Sequence, residues 1–496
     1  MKLLIDTNVI IGLEDAGEIK ERFADLVRKC GEHGVSVFVH EVSKEDINRD
    51  KDEARRAATL SKIAKFPLLK GVATPGEATL EKRYGKLTKA NDVVDVKLLH
   101  AASINVVDFL VTEDDGLHRR AKTAGMADRV FTVADALAWI RQTFEPDEVF
   151  LPAVQSVKAY NIDFADPVFD ELRPDYDGFD KWAAKCISEH RDCWIIKDGL
   201  ALAGVIIRKD ETHAAARTKY TGPKILKLCT FKVAEPHRGQ KLGEQLLKQA
   251  LWHVQRNKYD LVYLTAYAKQ EPLIRLLEDY GFSQTLKIKN GELVFEKPVG
   301  HGPITLMKGE SVLNAAHRNY PRFIDGPSVR KFVVPIKPQY HAKLFPENLP
   351  ADAVTGATGR PGNTIRKVYL CRAPSCQLQP GDLIFFYMTK SHSCGSQSLT
   401  SVGVVENVRL SGNLEEVRRW TAKRSVFSDV ELRDLVREAR PLKIIDFLLI
   451  GHLGPTVPLT LMTHNDILRS WPQSITQIEE EAYQTLKPHL NLDFHF

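Results

Sequence analysis

A chain of 496 residues is too long for one hydrophobic core and argues for about three domains, each able to bury its own apolar face. Hydrophobic residues at 43% and charged residues at 27% are those of globular protein, and no stretch reaches the roughly 18 apolar residues of a membrane-spanning helix, so disordered, fibrous and membrane-spanning classes fall away. The net charge of +5 is unevenly placed: Lys+Arg stand against Asp+Glu at 23 to 24 over 1–145, 23 to 22 over 146–300 and 23 to 18 over 301–496, so the excess sits in the last third, where it suits a polyanion. The seven cysteines (30, 186, 193, 229, 371, 376 and 394) are odd in number and scattered, which fits a reducing cytoplasm. The opening MKLLIDTNVIIGL is interrupted by Asp6 and Asn8 and reads as a first strand, not a signal peptide.

Residues 1–145 form the first expected domain. LLIDTNVIIGL, VSVFVH and VDFLVTED are predicted strands, and 18–31 and 42–65 between them are charged and amphipathic. That alternation predicts a parallel sheet covered by helices. Ligand sites in such sheets form at the carboxyl ends of the strands. Asp6 follows the run LLI and Asp114 follows FLV. Asp92 and Asp95 share a helical face at i, i+3, and Asp46 lies in HEVSKEDI after the second strand. One such acid usually caps a helix. Several at strand ends repel one another and call for a hard divalent cation, Mg²⁺ or Mn²⁺, which can activate water against a phosphodiester.

The opening LLIDTNVI, the D-x-x-L-L-x-A-A stretch from Asp95 and the Thr112-Glu113-Asp114 triplet resemble the PIN-domain nucleases over roughly 1–140. The resemblance implies an Mg²⁺-dependent endoribonuclease of the kind found among growth-arresting toxins and RNA-processing enzymes, with an antitoxin or immunity partner in the toxin case. It carries Asp6, Asp95 and Asp114 over as catalytic and metal-binding residues, with Asp46 as the second acid and Asp92 as a further ligand or a helix cap. Glu41 and Glu45 are alternatives to Asp46, because the family has Glu-Leu where this chain has Asp46-Ile47. Thr7 and Thr112 are placed to orient the acids.

After an exit linker at 145–152, residues 150–300 form an α+β domain. WIIKDGLALAGVIIRK predicts a hairpin turning at Asp198-Gly199. ILKLCTFKVAE and YDLVYLTAY are strands, HRGQKLGEQLLKQALWHVQRN is a glycine-led helix, and EPLIRLLEDYGF is a helix ending at Gly281. A loop opening a helix is a ready anion site. This element order and the run Arg238-Gly239-Gln240-Lys241-Leu242-Gly243 resemble the GNAT acetyltransferases and their R-x-x-G-x-G/A signature. The resemblance implies acetyl-CoA, its pyrophosphate at Arg238, Gly239, Gln240, Lys241 and Gly243, and its pantetheine along Leu228, Thr230 and Phe231. Two departures stand out: Lys241 replaces the first signature glycine, and Leu277 replaces the tyrosine general acid, leaving Tyr267 and Tyr280 as candidates.

Residues 325–496 form the third expected domain. KFVVPIKP, RKVYLCRAP, PGDLIFFYMT and SLTSVGVVENVRL predict short strands of a small β-barrel around a Gly/Pro/Asn-rich loop at 348–364, and EEVRRWTAKR and ELRDLVREAR predict helices. The strand order and the PGD-plus-apolar-strand element resemble ASCH and PUA-like domains, which implies RNA, tRNA being one candidate. Lys337, Tyr340, His341, Arg366, Lys367 and Tyr387 interleave basic and aromatic character and are the candidate RNA contacts. Cys371, Cys376, His392 and Cys394 offer zinc-type donors at irregular spacing. The whole reads as a cytoplasmic multidomain α/β and α+β RNA enzyme, of unspecified oligomeric state and with no membrane partner.

Overall fold

Leu3, Leu4 and Ile5 are fully buried with no polar alternation, the pattern of a strand covered on both faces. They lie in β1 (Lys2–Ile5), the centre of the first of three sheets. The computed structural model describes residues 1–11, 17–145, 153–348, 364–373, 378–390, 396–438 and 440–492. The described chain divides into two compact units, 1–149 with 413–437, and 150–412 with 438–496.

In the first unit α1 (Thr7–Ile11), α2 (Gly17–Glu32), β2 (Ser36–His40), α3 (Ser43–Asn48), α4 (Glu53–Ile63), β3 (Leu68–Leu69), α5 (Glu77–Tyr84), α6 (Ala90–Ser103), β4 (Phe109–Val111), α7 (Asp115–Thr123), β5 (Val130–Phe131) and α8 (Val133–Phe144) follow β1. The five strands are parallel in the order β3-β2-β1-β4-β5. The chain direction across the sheet therefore switches beside β1, and the crevice outside the ends of β1 and β4 is where such a sheet places a ligand. The expected long first strand is corrected: extended structure stops at Ile5 and Thr7–Ile11 is helical.

The central domain contributes β6 (Gln155–Lys158), α9 (Phe179–Ser188), β7 (Asp192–Asp198), β8 (Ala201–Glu211), β9 (Ile225–Val233), α10 (Leu242–Arg256), β10 (Leu261–Ala266), α11 (Glu271–Asp279), β11 (Ser283–Lys287) and β12 (Leu293–Pro298). Its sheet runs β11-β12-β10-β9-β8-β7-β6, antiparallel except for the parallel pair β9 and β10. The turn at Asp198 and Gly199 falls where the sequence puts it, while α11 ends at Asp279, two residues before the expected Gly281. Gly281 has φ +84°, and a Cβ there would lie 2.1 Å from the Arg318 carbonyl oxygen, so glycine is required on both counts.

The C-terminal part holds α12 (Val312–Asn319), β13 (Lys331–Ile336), α13 (Pro338–Leu344), β14 (Arg366–Cys371), β15 (Leu383–Met388), β16 (Ser398–Ser411), α14 (Leu414–Thr421), α15 (Asp429–Val436), β17 (Leu442–Pro458), α16 (Leu459–His464), β18 (Thr476–Ile478) and α17 (Glu480–Leu486). Its six strands run β14-β17-β16-β15-β13-β18. Among the described residues no ladder joins β14 to β18, so the sheet is open where a closed barrel was expected. No described helix is long and apolar enough to cross a membrane.

Candidate functional site

Four aspartates come together at the switch point of the first sheet. Asp6 leaves the end of β1 and is 4% exposed. The Thr112 hydroxyl donates to Asp6 Oδ2 at 2.7 Å, and Asn8 Nδ2 holds that hydroxyl at 3.0 Å. Thr7 Oγ1 lies 3.2 Å from both Asp6 Oδ1 and Asp46 Oδ2, which ties α3 to β1 and makes Asp46 the acid of its segment that reaches the cluster. Glu41 accepts instead from the Gly71 amide. Asp114 follows β4 and caps α7, Oδ1 accepting from the Leu117 amide at 2.7 Å.

Burial pushes the Asp6 carboxyl up to about 6, against hydrogen bonds from Thr112 and Thr7 and with repulsion from Asp114. Asp95, on α6, is pushed up to about 7 by burial and then by Asp6, Asp114 and Asp92, with Arg120 opposing. Asp92 stands at the rim: it caps α6, accepting from the Thr88 and Lys89 amides at 2.7 and 3.0 Å, and pairs with Arg120 at 3.2 Å. Among the described residues the ligand atoms that lie within 4.8 Å of one another as a set of three belong to Glu32, His33 and Glu145, where Lys29 already pairs with Glu145 at 2.5 Å. The aspartates stand wider, as mutually repelling carboxylates do. Their oxygens are hard donors and fit Mg²⁺ or Mn²⁺.

The central sheet opens at one place. The ladder between β9 and β10 ends at Leu228 opposite Leu264. Beyond it β9 stays on β8 through Val233 and β10 stays on β12 through Ala266, so the two strands part and leave facing backbone edges unpaired with each other. Leu228, Thr230 and Phe231 lie along this fork. At its far end Gly239 has φ +84° and Lys241 φ +63°, and α10 begins at the next residue. The left-handed Lys241 occupies the position where glycine is expected, so the loop keeps the glycine conformation without the glycine. A Cβ on Gly243 would meet Leu276 Cδ2 at 3.4 Å. Arg238 Nη2 donates to both Glu171 oxygens, at 2.7 and 2.8 Å, and Lys232 pairs with the same carboxylate.

Of the two candidate tyrosines, Tyr280 is 1% exposed, packs on Tyr320 with its ring centroid 5.4 Å away, and donates to Glu244 in the first turn of α10 at 3.4 Å. Tyr267 follows β10 with its ring 5.6 Å from that of Tyr176. Burial, then Glu292 and Asp175, raise the Tyr267 phenol above its ordinary value. Glu292, Tyr176 and Glu171 were not singled out from the sequence. The available signal for Glu292 was a carboxylate in the hairpin strand N-G-E-L-V that follows the Gly-Phe element.

The proposed RNA contacts scatter. His341 (3% exposed), Lys367 (1%) and Tyr387 (1%) are inside the C-terminal domain, a correction to their reading as a stacking and phosphate-binding surface. His341 Nε2 lies 2.9 Å from Thr400 Oγ1, and burial pushes the imidazole down to about 4. Lys367 donates to the Leu344 carbonyl at 2.7 Å and is pushed down to about 7 by burial. Arg366 is paired with Glu406 at 2.8 Å. Lys337 is exposed and Tyr340 half-buried. Cys371 is a free thiol, and Cys376, His392 and Cys394 lie outside the described residues, as does most of the 348–364 loop.

Residues 157–282 match the sequence model of the acetyltransferase (GNAT) family, so the central segment is a GNAT domain. No curated protein matches the chain. Among solved structures, ASCH from Zymomonas mobilis is similar at 17% identity and TM-score 0.23, covering 32% of this chain and 94% of its own. Arabidopsis thaliana NAA60 in complex with a bisubstrate analogue is similar at 14% and 0.25, covering 29% and 97%. PH1933 from Pyrococcus horikoshii is similar at 21% and 0.24, covering 30% and 99%.

Proposed function

We propose that this chain is an acetyl-CoA-dependent acetyltransferase whose flanking domains bring RNA, an aminoacyl group carried on RNA, or a protein to the central domain. The observation that carries the reading is the fork between β9 and β10 ending at the Arg238–Gly243 loop. Strand edges released at Leu228–Phe231 can pair with an extended amide chain, and amides at the start of α10 can hold a diphosphate. Acetyl-CoA supplies the activated acyl group. Tyr267 stays protonated at neutral pH and is the group beside the fork able to give a proton to a departing thiolate. The full chain is expected to bind acetyl-CoA by calorimetry and release free thiol. Gly243→Val, which presses a branched side chain into Leu276, is expected to weaken binding at least tenfold. A wild-type chain that neither binds nor consumes acetyl-CoA ends the reading.

The approach of Asp6, Asp46, Asp95 and Asp114 favours a second activity, metal-dependent endoribonuclease cleavage in the first unit. Asp6, Asp95 and Asp114, with Asp46, would hold Mg²⁺ or Mn²⁺. The ion's chemistry is activation of water and neutralisation of phosphate charge. Thr7 and Thr112 fix the carboxylates in place. tRNA as substrate, and a toxin or defence role with an antitoxin partner, rest on family analogy alone. Purified chain is expected to cut RNA only with Mg²⁺ or Mn²⁺, and Asp6→Asn and Asp114→Asn to lose at least about 100-fold. Cleavage unaffected by both substitutions, or none by the wild type, removes this activity.

A further inference from the structure

At the end of β10 away from the fork, two buried cations share one cleft. Lys297, on β12, is 4% exposed, and Arg322, just beyond α12, is 8% exposed. Lys297 Nζ donates to the Tyr280 carbonyl at 2.7 Å and the Arg318 carbonyl at 2.6 Å. Arg322 Nη2 donates to the Gly302 carbonyl. All of these partners are neutral, and among the described residues no Asp or Glu pairs with either cation. The acids nearby are engaged elsewhere: Glu310 pairs with Arg318 at 2.7 Å, and Asp260 accepts from the Lys224 amide at 2.8 Å. Burial, then Arg318 and Arg322, push the Lys297 ammonium down to about 7, and burial lowers the Arg322 guanidinium. Two desolvated like charges are costly together until something negative joins them.

The surroundings leave room for that partner. Lys297 and Arg322 line a cleft of about 250 Å³ whose other walls are Leu251, Val254 and Gln255 of α10 and the turn at 319–321. The guanidinium lies against Gly300, where a Cβ would stand 2.4 Å from Arg322 Nη1, so the absence of a side chain at 300 sets where this cation rests. The cleft is separate from the fork. Lys297 pairs with Val262 near the start of β10, whereas the fork opens past Leu264. The residues of α10 that wall it lie in the last part of Leu242–Arg256, at the opposite end from the Arg238–Gly243 loop.

Independently of the acetyltransferase and nuclease readings, we propose that this cleft binds a small, doubly charged oxyanion: inorganic phosphate, or the phosphomonoester of a nucleotide. Arg322 presents a planar fork that matches two oxyanion oxygens, and Lys297 keeps one N–H after its two carbonyls. A nucleic-acid strand is a poorer match. Each phosphodiester carries a single charge and its backbone needs an open track, whereas both cations here are nearly covered. The bound anion ties β12, the end of α10 and the segment after α12 to one point, so it acts on the second unit as an effector or structural ion.

The test is calorimetry on the full chain in phosphate-free buffer, with inorganic phosphate, AMP and dimethyl phosphate as probes. Wild type is expected to bind phosphate with a Kd of about 1 mM or tighter, and dimethyl phosphate at least about tenfold more weakly. Arg322→Gln keeps a donor for Gly302 and loses the charge. Gly300→Ala keeps every charge and pushes the guanidinium aside, so it serves should the first variant fail to fold. Each is expected to weaken phosphate binding at least about tenfold, the order of one lost charge-assisted hydrogen bond, while affinity for acetyl-CoA stays within twofold. Gly243→Val, in the loop proposed for the acetyl-CoA diphosphate, should leave phosphate binding within twofold of wild type. Competition between AMP and phosphate extends the ligand to nucleotide monoesters, and its absence assigns the cleft to the free ion. No saturable phosphate binding, equal binding of dimethyl phosphate, or phosphate affinity within twofold of wild type in the folded cleft variants overturns the site. So does loss of phosphate binding in Gly243→Val, which would place the ion at the other end of α10.

Discussion

Asp95 is an acid whose environment is at odds with its chemistry. Its ordinary value is 3.8 and in the fold it is pushed to about 7, because burial and then Asp6, Asp114 and Asp92 all oppose its charge. A raised carboxyl destabilises the folded state wherever it is ionised. Nothing is lost below about pH 4, the loss grows between 4 and 7, and it is complete above 7. At about 1.4 kcal/mol per unit the whole effect is a few kcal/mol. Without divalent metal, the thermal midpoint of the first unit is therefore expected to fall as pH rises from 4 to 7. Asp95→Asn should flatten that slope and raise the midpoint at pH 7.5. Mn²⁺ should restore the wild type at pH 7.5, by about 2.7 kcal/mol at 100 times its Kd, and should do far less for the variant. A variant that is less stable than wild type at pH 7.5, or that gains equally from Mn²⁺, shows that the carboxylates are not a cation site.

Helices α14 and α15 show how an element can be read correctly and assigned to the wrong body. Their sequences predict helices, and they form, but residues 413–437 belong to the first unit although they leave from β16 and return to β17. Ala422 joins the apolar cluster of Ile5, Phe109 and Phe131. Arg419 reaches Asp108 at 3.0 Å, Arg424 reaches Asp128 at 2.7 Å, and Lys423 donates to the Ala127 and Val130 carbonyls. Asp108 is 7% exposed, so Arg419→Ala takes away its ion pair and leaves the buried charge with the Lys2 amide as hydrogen-bond donor and the Arg129 guanidinium nearby. A loss of about 2–3 kcal/mol is expected in the first unit, with a coupling of at least about 1 kcal/mol to Asp108→Asn in a double-mutant cycle. A coupling near zero would mean that the helix pair merely rests on the sheet. The pattern of the sequence carried the strands β2, β4, β7 to β10 and β13 to β16, because each is a short apolar run bounded by turn residues. It did not carry β17, whose long apolar run lacks the alternation that separates strand from buried helix. Nor could it separate Lys337, which stays on the surface, from Lys367, which does not: exposure is decided by what packs on a strand, not by the residue. The acids at the ends of β1 and β4 were legible because strand ends fix position. Glu292 was not, since it is brought to the fork by a hairpin whose register no local pattern announces.

In the second unit the helix α10 of the central domain reaches the C-terminal part. Glu244 on α10 accepts from the Ile365 and Arg366 amides at 2.8 and 2.9 Å, and Lys248 on the same helix pairs with Glu347 at 2.8 Å. Trp252 donates to the Tyr320 hydroxyl at 3.1 Å. The start of this helix is the loop proposed to hold the acetyl-CoA diphosphate, so a ligand there stabilises an element that is bonded to the start of β14 in the C-terminal sheet. Opening of that sheet should then be coupled to ligand binding, while the first unit, whose core is separate, should not respond. In hydrogen exchange, saturating acetyl-CoA is expected to slow the amides of β15 in the C-terminal sheet together with those of β9, and to leave β1 and β4 unchanged. Mn²⁺ should do the reverse. Breaking the joint with Lys248→Met, which removes the ion pair but keeps most of the buried stem, should uncouple β15 from acetyl-CoA while β9 stays protected. If β15 ignores the ligand in the wild type, α10 is a shared wall between independent domains; if it responds equally in Lys248→Met, the coupling runs through Glu244 and the backbone of β14 instead.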